Sequence, residues 1–171
     1  MIPGYAGDWQ NQLLAEARIF FYKSVSDKAH LEKAIGMFER LKQDEAFEGK
    51  SETYLGALVA LKGKHAFAPH DKLKWVKRGL TIMDQGIAKC PNDIEALFIH
   101  GSTCYHIPFF FGRKGDAQRS FNRIIQLLPT RYQHYDEEII QNVIAFILEK
   151  AELTPAEKNE LTQISQKIGR Q

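Results

Sequence analysis

Two stretches of the chain repeat one another at a fixed offset of 38 residues, and this repetition constrains the fold more than any other sequence feature. KCPND at 89–93 aligns with LLPTR at 127–131, so Pro91 and Pro129 take equivalent positions. Gly79 and Ala117 are separated by the same 38 residues. A repeat of this length predicts similar supersecondary units that stack on one another and share a continuous core.

Apolar residues recur three and four positions apart along most of the chain, a spacing that places them on one face of an α-helix. The pattern predicts about eight helices and no strand, with approximate ranges of 11–24, 28–44, 51–61, 71–89, 94–104, 117–128, 136–150 and 155–168. The predicted N-caps are Asp27, Ser51, Asp93 and Thr154. Residues 46–50 are predicted to form a polar connection, and Pro129 to end the sixth helix. We therefore expect an all-α fold of helix hairpins at about 11–46, 51–91, 93–129 and 136–168.

The composition is that of an ordinary globular protein, and it restricts the classes of partner. The 171 residues suit a single domain, 1–171, with a substantial core. The formal net charge of +2 is too close to neutral to indicate nucleic-acid binding, and no apolar run is long enough for a membrane span. Cys90 and Cys104 do not make a disulfide framework, which favours a reducing compartment, with the cytoplasm as a weak preference. The N-terminus lacks the features of a signal peptide, and a leader removed earlier stays an alternative.

The repeated positions resemble those of the tetratricopeptide repeat, a family with Leu-Gly in the first helix of each hairpin, small residues and an aromatic residue in the second, and a proline after it. One copy matches at Leu55, Gly56, Gly79, Met83, Gly86 and Pro91. Another matches at Leu97, Gly101, Ala117, Phe121, Ile124 and Pro129, and a weaker copy at Ala34 and Phe38. The spacing departs from the family, because the offset is 38 residues and the family repeat is about 34. The excess lies between the two helices of each hairpin, in longer loops or longer helices.

The resemblance implies stacked antiparallel helix hairpins that coil as a right-handed superhelix over residues 11–129, followed by a final helical pair. It also implies a protein that binds a partner protein or peptide and is not an enzyme. The small residues of the repeat also lead to an expectation about helix packing. Because they let two helices approach closely, a large side chain at Gly101 would overpack its hairpin.

Aromatic and basic residues concentrate in the two connections at 62–71 and 106–115, which would be neighbours if the hairpins stack. We expect this region to contact a protein or peptide partner, and the predicted contact residues are Trp75, Lys77, Arg78, Tyr105, Phe109, Phe110, Phe111 and Arg113. The alternative is that the three phenylalanines fold inward as a small loop core, while the basic residues form a solvated face. Trp75 likewise suits either a core position or a contact.

Other functions have weaker support in the sequence. Residues 1–24 carry Trp9, Phe20, Phe21 and Tyr22, an apolar end that would suit self-association as a structural subunit or homo-oligomer. His100 and Cys104 lie four residues apart and could hold a metal ion or small ligand with other histidines, although a hydrogen-bonded core histidine is the more ordinary explanation. No hydrolase, phosphate-loop or dinucleotide motif occurs, so we predict no enzyme activity, no cofactor and no metal.

Overall fold

Eight α-helices make up most of residues 8–169, the part of the chain that the computed structural model describes, and that part contains no strand. The helices are α1 (Asp8–Ser26), α2 (Leu31–Leu41), α3 (Glu45–His65), α4 (Pro69–Lys89), α5 (Ile94–His106), α6 (Lys114–Arg131), α7 (Glu137–Lys150) and α8 (Pro155–Ile168). Short 3₁₀ turns lie between some of them, at Lys28–His30, Phe109–Phe111 and Tyr132–His134. The all-α prediction is confirmed, and consecutive helices pack as the pairs α1–α2, α3–α4, α5–α6 and α7–α8.

The start of α3 differs from the prediction. Asp44 caps this helix, since its Oδ1 accepts a hydrogen bond from the Ala46 amide at 2.9 Å. Ser51, the predicted cap, lies fully buried inside the helix, and the predicted connection at 46–50 is helical. The sequence offers two capping residues here, and the earlier one gives a helix long enough to pair with α4 along its full length. The predicted caps Asp93 and Thr154 are confirmed, and Asp27 caps the first 3₁₀ turn.

The two prolines that align in the repeat have different structural roles. Pro91 follows α4, which ends at Lys89 as predicted. Pro129 lies inside α6, so the prediction that it ends the helix is wrong. A proline in the last turn costs only the one hydrogen bond that its own nitrogen cannot donate. The helix continues beyond it, and the Tyr132 amide still donates to the carbonyl of Leu128.

The chain divides into two compact units, 1–91 and 92–171. The first unit contains α1 to α4, and α3 is its central helix, because every residue from 51 to 58 is buried. Tyr54 of α3 stacks on Phe38 with ring centroids 4.4 Å apart and meets the edge of Phe21 at 4.9 Å. The prediction of a single domain concerns how the two units join, and it stays a prediction.

Glycines spaced seven residues apart bring α3 and α4 together. Each would place an added Cβ 3.0 Å or less from an atom of the opposite helix, and they are Gly49, Gly56 and Gly63 on α3 and Gly79 and Gly86 on α4. The closest contacts are with backbone atoms, which cannot move aside as a flexible side chain can. The two helices therefore pack main chain against main chain, and the connection between them is only residues 66–68. The extra length in this hairpin lies in its helices rather than in its loop.

The second unit contains α5 to α8, and its core lies between these helices. The fully buried side chains include Ile94, Ile124, Leu128, Ile140, Ile147 and Leu161. Gly101 of α5 faces α6, where an added Cβ would lie 2.7 Å from the ring of Phe121 and 3.1 Å from Cβ of Ser120. The expectation that a large residue at Gly101 would overpack this hairpin is thus supported by its contacts. The narrow apolar stripe of α8, formed by Leu161, Ile164 and Ile168, is buried.

Candidate functional site

A tight turn containing three successive phenylalanines joins α5 to α6, and we call residues 108–112 the phenylalanine turn. The Phe111 amide donates to the Pro108 carbonyl at 3.0 Å, and the Gly112 amide donates to the Phe109 carbonyl at 2.9 Å. Gly112 has a φ of +69°, a left-handed conformation that glycine adopts without steric cost. These hydrogen bonds and this glycine define the backbone of the turn, so its side chains project from a formed framework.

Two of the three phenylalanine side chains are exposed. Phe109 is 83% exposed and Phe110 is 63% exposed, whereas Phe111 is partly buried. The Phe109 and Phe110 rings meet edge to face at 6.0 Å, and Phe110 lies 4.8 Å from Phe111. The interpretation of an inward-folded loop core is therefore wrong for Phe109 and Phe110. The turn presents a cluster of aromatic surface that contributes little to the core.

Arg113 lies at the base of the turn and is engaged within its own unit. Its Nε lies 2.8 Å from Oδ2 of Asp116, and Arg119 forms a second ion pair with the same carboxylate. Its Nη2 lies 3.5 Å from Nε2 of His100. With a side chain only 20% exposed, Arg113 ties the start of α6 to α5. This geometry suits an arginine that supports the turn better than one that reaches out to a partner.

Tyr105, on the last turn of α5, is half-buried beside the same turn. Its ring meets the edge of Phe146 at 5.9 Å, and Nζ of Lys114 lies 3.7 Å from its ring centroid. Lys114 and Arg119 are exposed; Arg119 pairs with Asp116, and Lys114 is the cation in contact with the Tyr105 ring. Lys114 belongs to the connection at 106–115 that was expected to contact a partner, although it was not named among the predicted contact residues.

The other predicted contact residues, Trp75, Lys77 and Arg78, belong to α4 in the first unit. Trp75 is half-buried, while Lys77 and Arg78 are exposed. Nζ of Lys62 lies 5.5 Å from the Trp75 ring centroid, and Cζ of Arg78 lies 5.8 Å from it. Trp75 is thus a partly covered side chain between two cations. That the two connections are neighbours stays a prediction, since they lie in separate units.

His100 is a hydrogen-bonded core histidine, as the ordinary explanation predicts. It is 6% exposed, and its Nδ1 lies 2.7 Å from Oγ of the buried Ser120. Sγ of Cys104 lies 3.9 Å from its Nε2. Within residues 8–169, no three histidine, cysteine or acidic side chains come close enough together to hold a metal ion.

No α-helix in the described part of the chain combines the length and the apolar character needed to span a membrane.

A buried carboxylate in the first unit was not anticipated from the sequence. The Glu52 side chain is 8% exposed, and its oxygens lie 3.3 Å from Nζ of Lys42 and 2.6 Å from Nζ of Lys89. Burial by itself raises the pKa of Glu52, but hydrogen bonds and charge from Lys89 and Lys42 outweigh this, so the pKa lies below its usual value. The carboxylate ties the ends of α2 and α4 to α3, which is a structural role.

Comparison of the chain with protein-family models, with curated proteins and with solved structures finds no match.

Proposed function

We propose that the protein is a non-catalytic protein–protein interaction module that offers the phenylalanine turn to an apolar pocket on a protein or peptide partner. The observation that carries this proposal is the joint exposure of Phe109 and Phe110 at 83% and 63%. Exposed aromatic side chains in contact with one another, close to positive charge, are typical of the central residues of protein interfaces.

Such a contact is favourable because the turn is already ordered, so binding costs little conformational entropy. Fully burying one phenylalanine side chain contributes roughly 1.5–3 kcal/mol. The backbone of the turn is already hydrogen-bonded, so the entropy cost of fixing a loop is small. Two rings buried in one pocket would thus support binding of modest affinity, which further contacts at Tyr105 and Lys114 would strengthen.

The framework proposed for this site is a tetratricopeptide-like array that stacks its hairpins into a right-handed superhelix. Equivalent contacts in the two units support the idea of a repeat. Gly56 in the first unit faces Met83, and Gly101 in the second faces Phe121, although the two glycines are 45 residues apart in the sequence and the two residues that they face are 38 apart. A rigid helical support would keep the aromatic cluster in one orientation, which favours recognition by shape.

The test is an affinity capture that compares intact protein with two variants. Phe109→Ala/Phe110→Ala removes the exposed rings of the phenylalanine turn. Phe67→Ala is the matched control, because Phe67 is 99% exposed but lies in the other unit. We expect a partner to be captured by the intact protein and by the control, and to be lost with the double variant. The captured protein is then purified, and its affinity for each variant is measured by calorimetry.

A double variant that remains folded and binds the same partner with unchanged affinity would remove the phenylalanine turn from the interface. Circular dichroism of the variant establishes that it remains folded. Equal loss of the partner with Phe67→Ala would likewise contradict a site confined to the turn.

A second candidate function, self-association as a structural subunit, has its own supporting observation. Helix α1 exposes several large apolar side chains, namely Trp9, Ile19, Tyr22 and Val25. Phe21, predicted to belong to this surface, is a core residue at 8% exposure. Sedimentation over a range of concentrations tests this function. A concentration-independent monomer contradicts it, whereas a dimer that Ile19→Glu/Tyr22→Glu dissociates supports it.

A further inference from the structure

The end of the α3–α4 hairpin carries exposed apolar side chains among many basic ones. We call residues 62–78 the basic tip. Phe67 is 99% exposed in the connection between the helices, and Leu73 on the first turns of α4 is 41% exposed. The segment contains six lysine or arginine residues and a single acidic residue, Asp71. The apolar side chains and the charge therefore belong to one local structure.

Several lysines of the basic tip have no acidic partner in the described part of the chain. Lys72, Lys74 and Lys77 are exposed, and no carboxylate of residues 8–169 lies within ion-pair distance of them. The single acidic residue, Asp71, instead pairs with His70 at 2.9 Å. Within the tip, Lys62 pairs with Glu32 at 2.9 Å, and some lysines elsewhere pair with carboxylates, for example Lys33 with Glu16 and Lys42 with Glu52.

The placement of these lysines does not serve helix stability. Lys72 and Lys74 lie in the first two turns of α4, near the N-terminus, where the helix dipole is positive. Positive side chains there are unfavourable, and acidic ones are preferred. Lys72, in the first turn of α4, is thus placed against the local preference of its helix, whereas Lys62 and Lys64 lie in the last turn of α3, where positive charge is favourable.

We propose that the basic tip binds the surface of an anionic lipid bilayer. Phe67 and Leu73 enter the interfacial region, and Lys72, Lys74 and Lys77 lie at the level of the lipid phosphates. Apolar residues that enter the interface and lysines that contact anionic headgroups are the two contributions on which peripheral membrane binding depends. A side chain as exposed as Phe67 lies at an apex, and a planar bilayer can cover an apex without providing a pocket.

Trp75 fits the same arrangement. It is half-buried, with Nζ of Lys62 at 5.5 Å and Cζ of Arg78 at 5.8 Å from its ring centroid. Tryptophan is favoured at the boundary between lipid and water, where one side of the ring is apolar and the other is hydrated. This proposal concerns the first unit alone and does not depend on the partner of the phenylalanine turn.

Co-sedimentation of the full chain with lipid vesicles tests the proposal. The vesicles are phosphatidylcholine alone or phosphatidylcholine mixed with phosphatidylserine. We expect binding to the anionic vesicles only, with an affinity that falls as salt is added. Lys72→Glu/Lys74→Glu should lower the partition coefficient by at least about 25-fold, at roughly fivefold for each lysine charge removed. Phe67→Ser should lower it by roughly tenfold.

One control separates a built surface from general charge. Lys158→Glu/Lys167→Glu changes the net charge by the same amount at exposed positions of the other unit. This variant should bind the anionic vesicles as the intact protein does. If the intact protein does not bind these vesicles at low salt, or if the control loses as much binding as the tip variants, the proposal is wrong.

A duplex oligonucleotide and inositol hexakisphosphate serve as competing polyanions. Binding of the oligonucleotide that is lost in the tip variants, without binding to vesicles, would overturn the proposal in favour of nucleic acid. If the protein stays bound to vesicles when a low concentration of inositol hexakisphosphate is added, a bilayer is supported as the ligand. Displacement from the vesicles that is complete at that low concentration would overturn it, since a free phosphate compound would then be the ligand.

Discussion

Gly56 and Gly79 lie backbone against backbone at the centre of the α3–α4 hairpin. A Cβ on Gly56 would lie 2.7 Å from the carbonyl oxygen of Gly79, and a Cβ on Gly79 would lie 2.5 Å from the carbonyl oxygen of Gly56. No side chain intervenes at this point, so each helix fits the surface of the other main chain. The α3–α4 hairpin is the part of the first unit where a single added methyl group should have the largest effect.

Gly79→Ala should destabilise the protein. The new Cβ would lie 2.4 Å from the backbone nitrogen of Ala60, so the helices must separate. We expect the free energy of unfolding to fall by about 1–3 kcal/mol, the usual cost of overpacking, even though alanine favours a helix by about 1 kcal/mol over glycine. Urea denaturation followed by circular dichroism measures the change.

Gly36→Ala is the control for this prediction. Gly36 lies in the interior of α2, and nothing approaches within 4 Å of an added Cβ there. The same substitution should therefore stabilise the protein by up to about 1 kcal/mol through helix propensity alone. Equal stabilisation by Gly79→Ala would contradict a backbone contact as close as 2.4 Å at this position.

Glu52→Gln should destabilise the protein at neutral pH, because it removes the negative charge between Lys42 and Lys89. Hydrogen bonds to charged groups typically contribute about 1.5–3 kcal/mol each, and we expect a loss in this range. Glu149→Gln is the control, because Glu149 is 69% exposed beside Lys150. Its removal should change the free energy of unfolding by less than about 0.5 kcal/mol.

The effect of Glu52→Gln should also depend on pH in a defined direction. The pKa of Glu52 is lowered in the folded protein from its ordinary value of 4.5, so the ionised carboxyl stabilises the fold above that pH. This contribution is lost as the pH falls through the lower, folded-state pKa. The difference in unfolding free energy between the intact protein and the variant should thus be largest at pH 7 and should shrink below about pH 4. A difference that grows on acidification would contradict this.

Substitution in the phenylalanine turn should barely affect stability. Phe109→Ala/Phe110→Ala removes rings that are mostly exposed, and we expect a change of less than about 1 kcal/mol in the free energy of unfolding. Phe121→Ala is the contrasting variant, because Phe121 is 1% exposed. It should cost about 3–5 kcal/mol, as expected for a buried phenylalanine. A comparable loss in the turn variant would place its rings in the core.

Ser120→Ala should destabilise the second unit by leaving Nδ1 of His100 without its hydroxyl partner at 2.7 Å. An unsatisfied buried polar group costs about 1–3 kcal/mol. Ser102→Ala is the control, because Ser102 is only partly buried and its hydroxyl makes a long 3.4 Å contact with the Ile99 carbonyl. If both serine variants are equally stable in thermal unfolding, the His100–Ser120 hydrogen bond contributes nothing to stability.

The spacing of apolar residues was sufficient to predict most of the helices, because an apolar stripe such as that of α4 or α8 can be recognised from the local sequence alone. It was insufficient for α3, in which residues 51–58 are buried on all sides although several of them are polar. A helix that is surrounded by others has no single apolar face, so its burial depends on tertiary packing. The seven-residue spacing of Gly49, Gly56 and Gly63 was the local signal for this packing.

The candidate contact residues show the same limit. The run of three phenylalanines identified the turn, but exposure is set by whether neighbouring helices cover each ring, which spacing alone does not determine. Arg113 was predicted as a contact, yet it is paired with Asp116, a carboxylate three residues further along. The basic tip was visible as a cluster of lysines, whereas the three-dimensional arrangement was needed to show that Lys62 pairs with Glu32 and that Lys72, Lys74 and Lys77 have no carboxylate of residues 8–169 within ion-pair distance.

The central claim is that the phenylalanine turn contacts a partner protein, and site-specific photo-crosslinking in cells tests it most directly. A benzophenone side chain replaces Phe109 in one protein and Phe67, which is even more exposed, in another. We predict a discrete cross-linked protein from position 109, absent from position 67 and lost when Phe110 is also replaced by alanine. No adduct from position 109, or the same adducts from both positions, would contradict the claim.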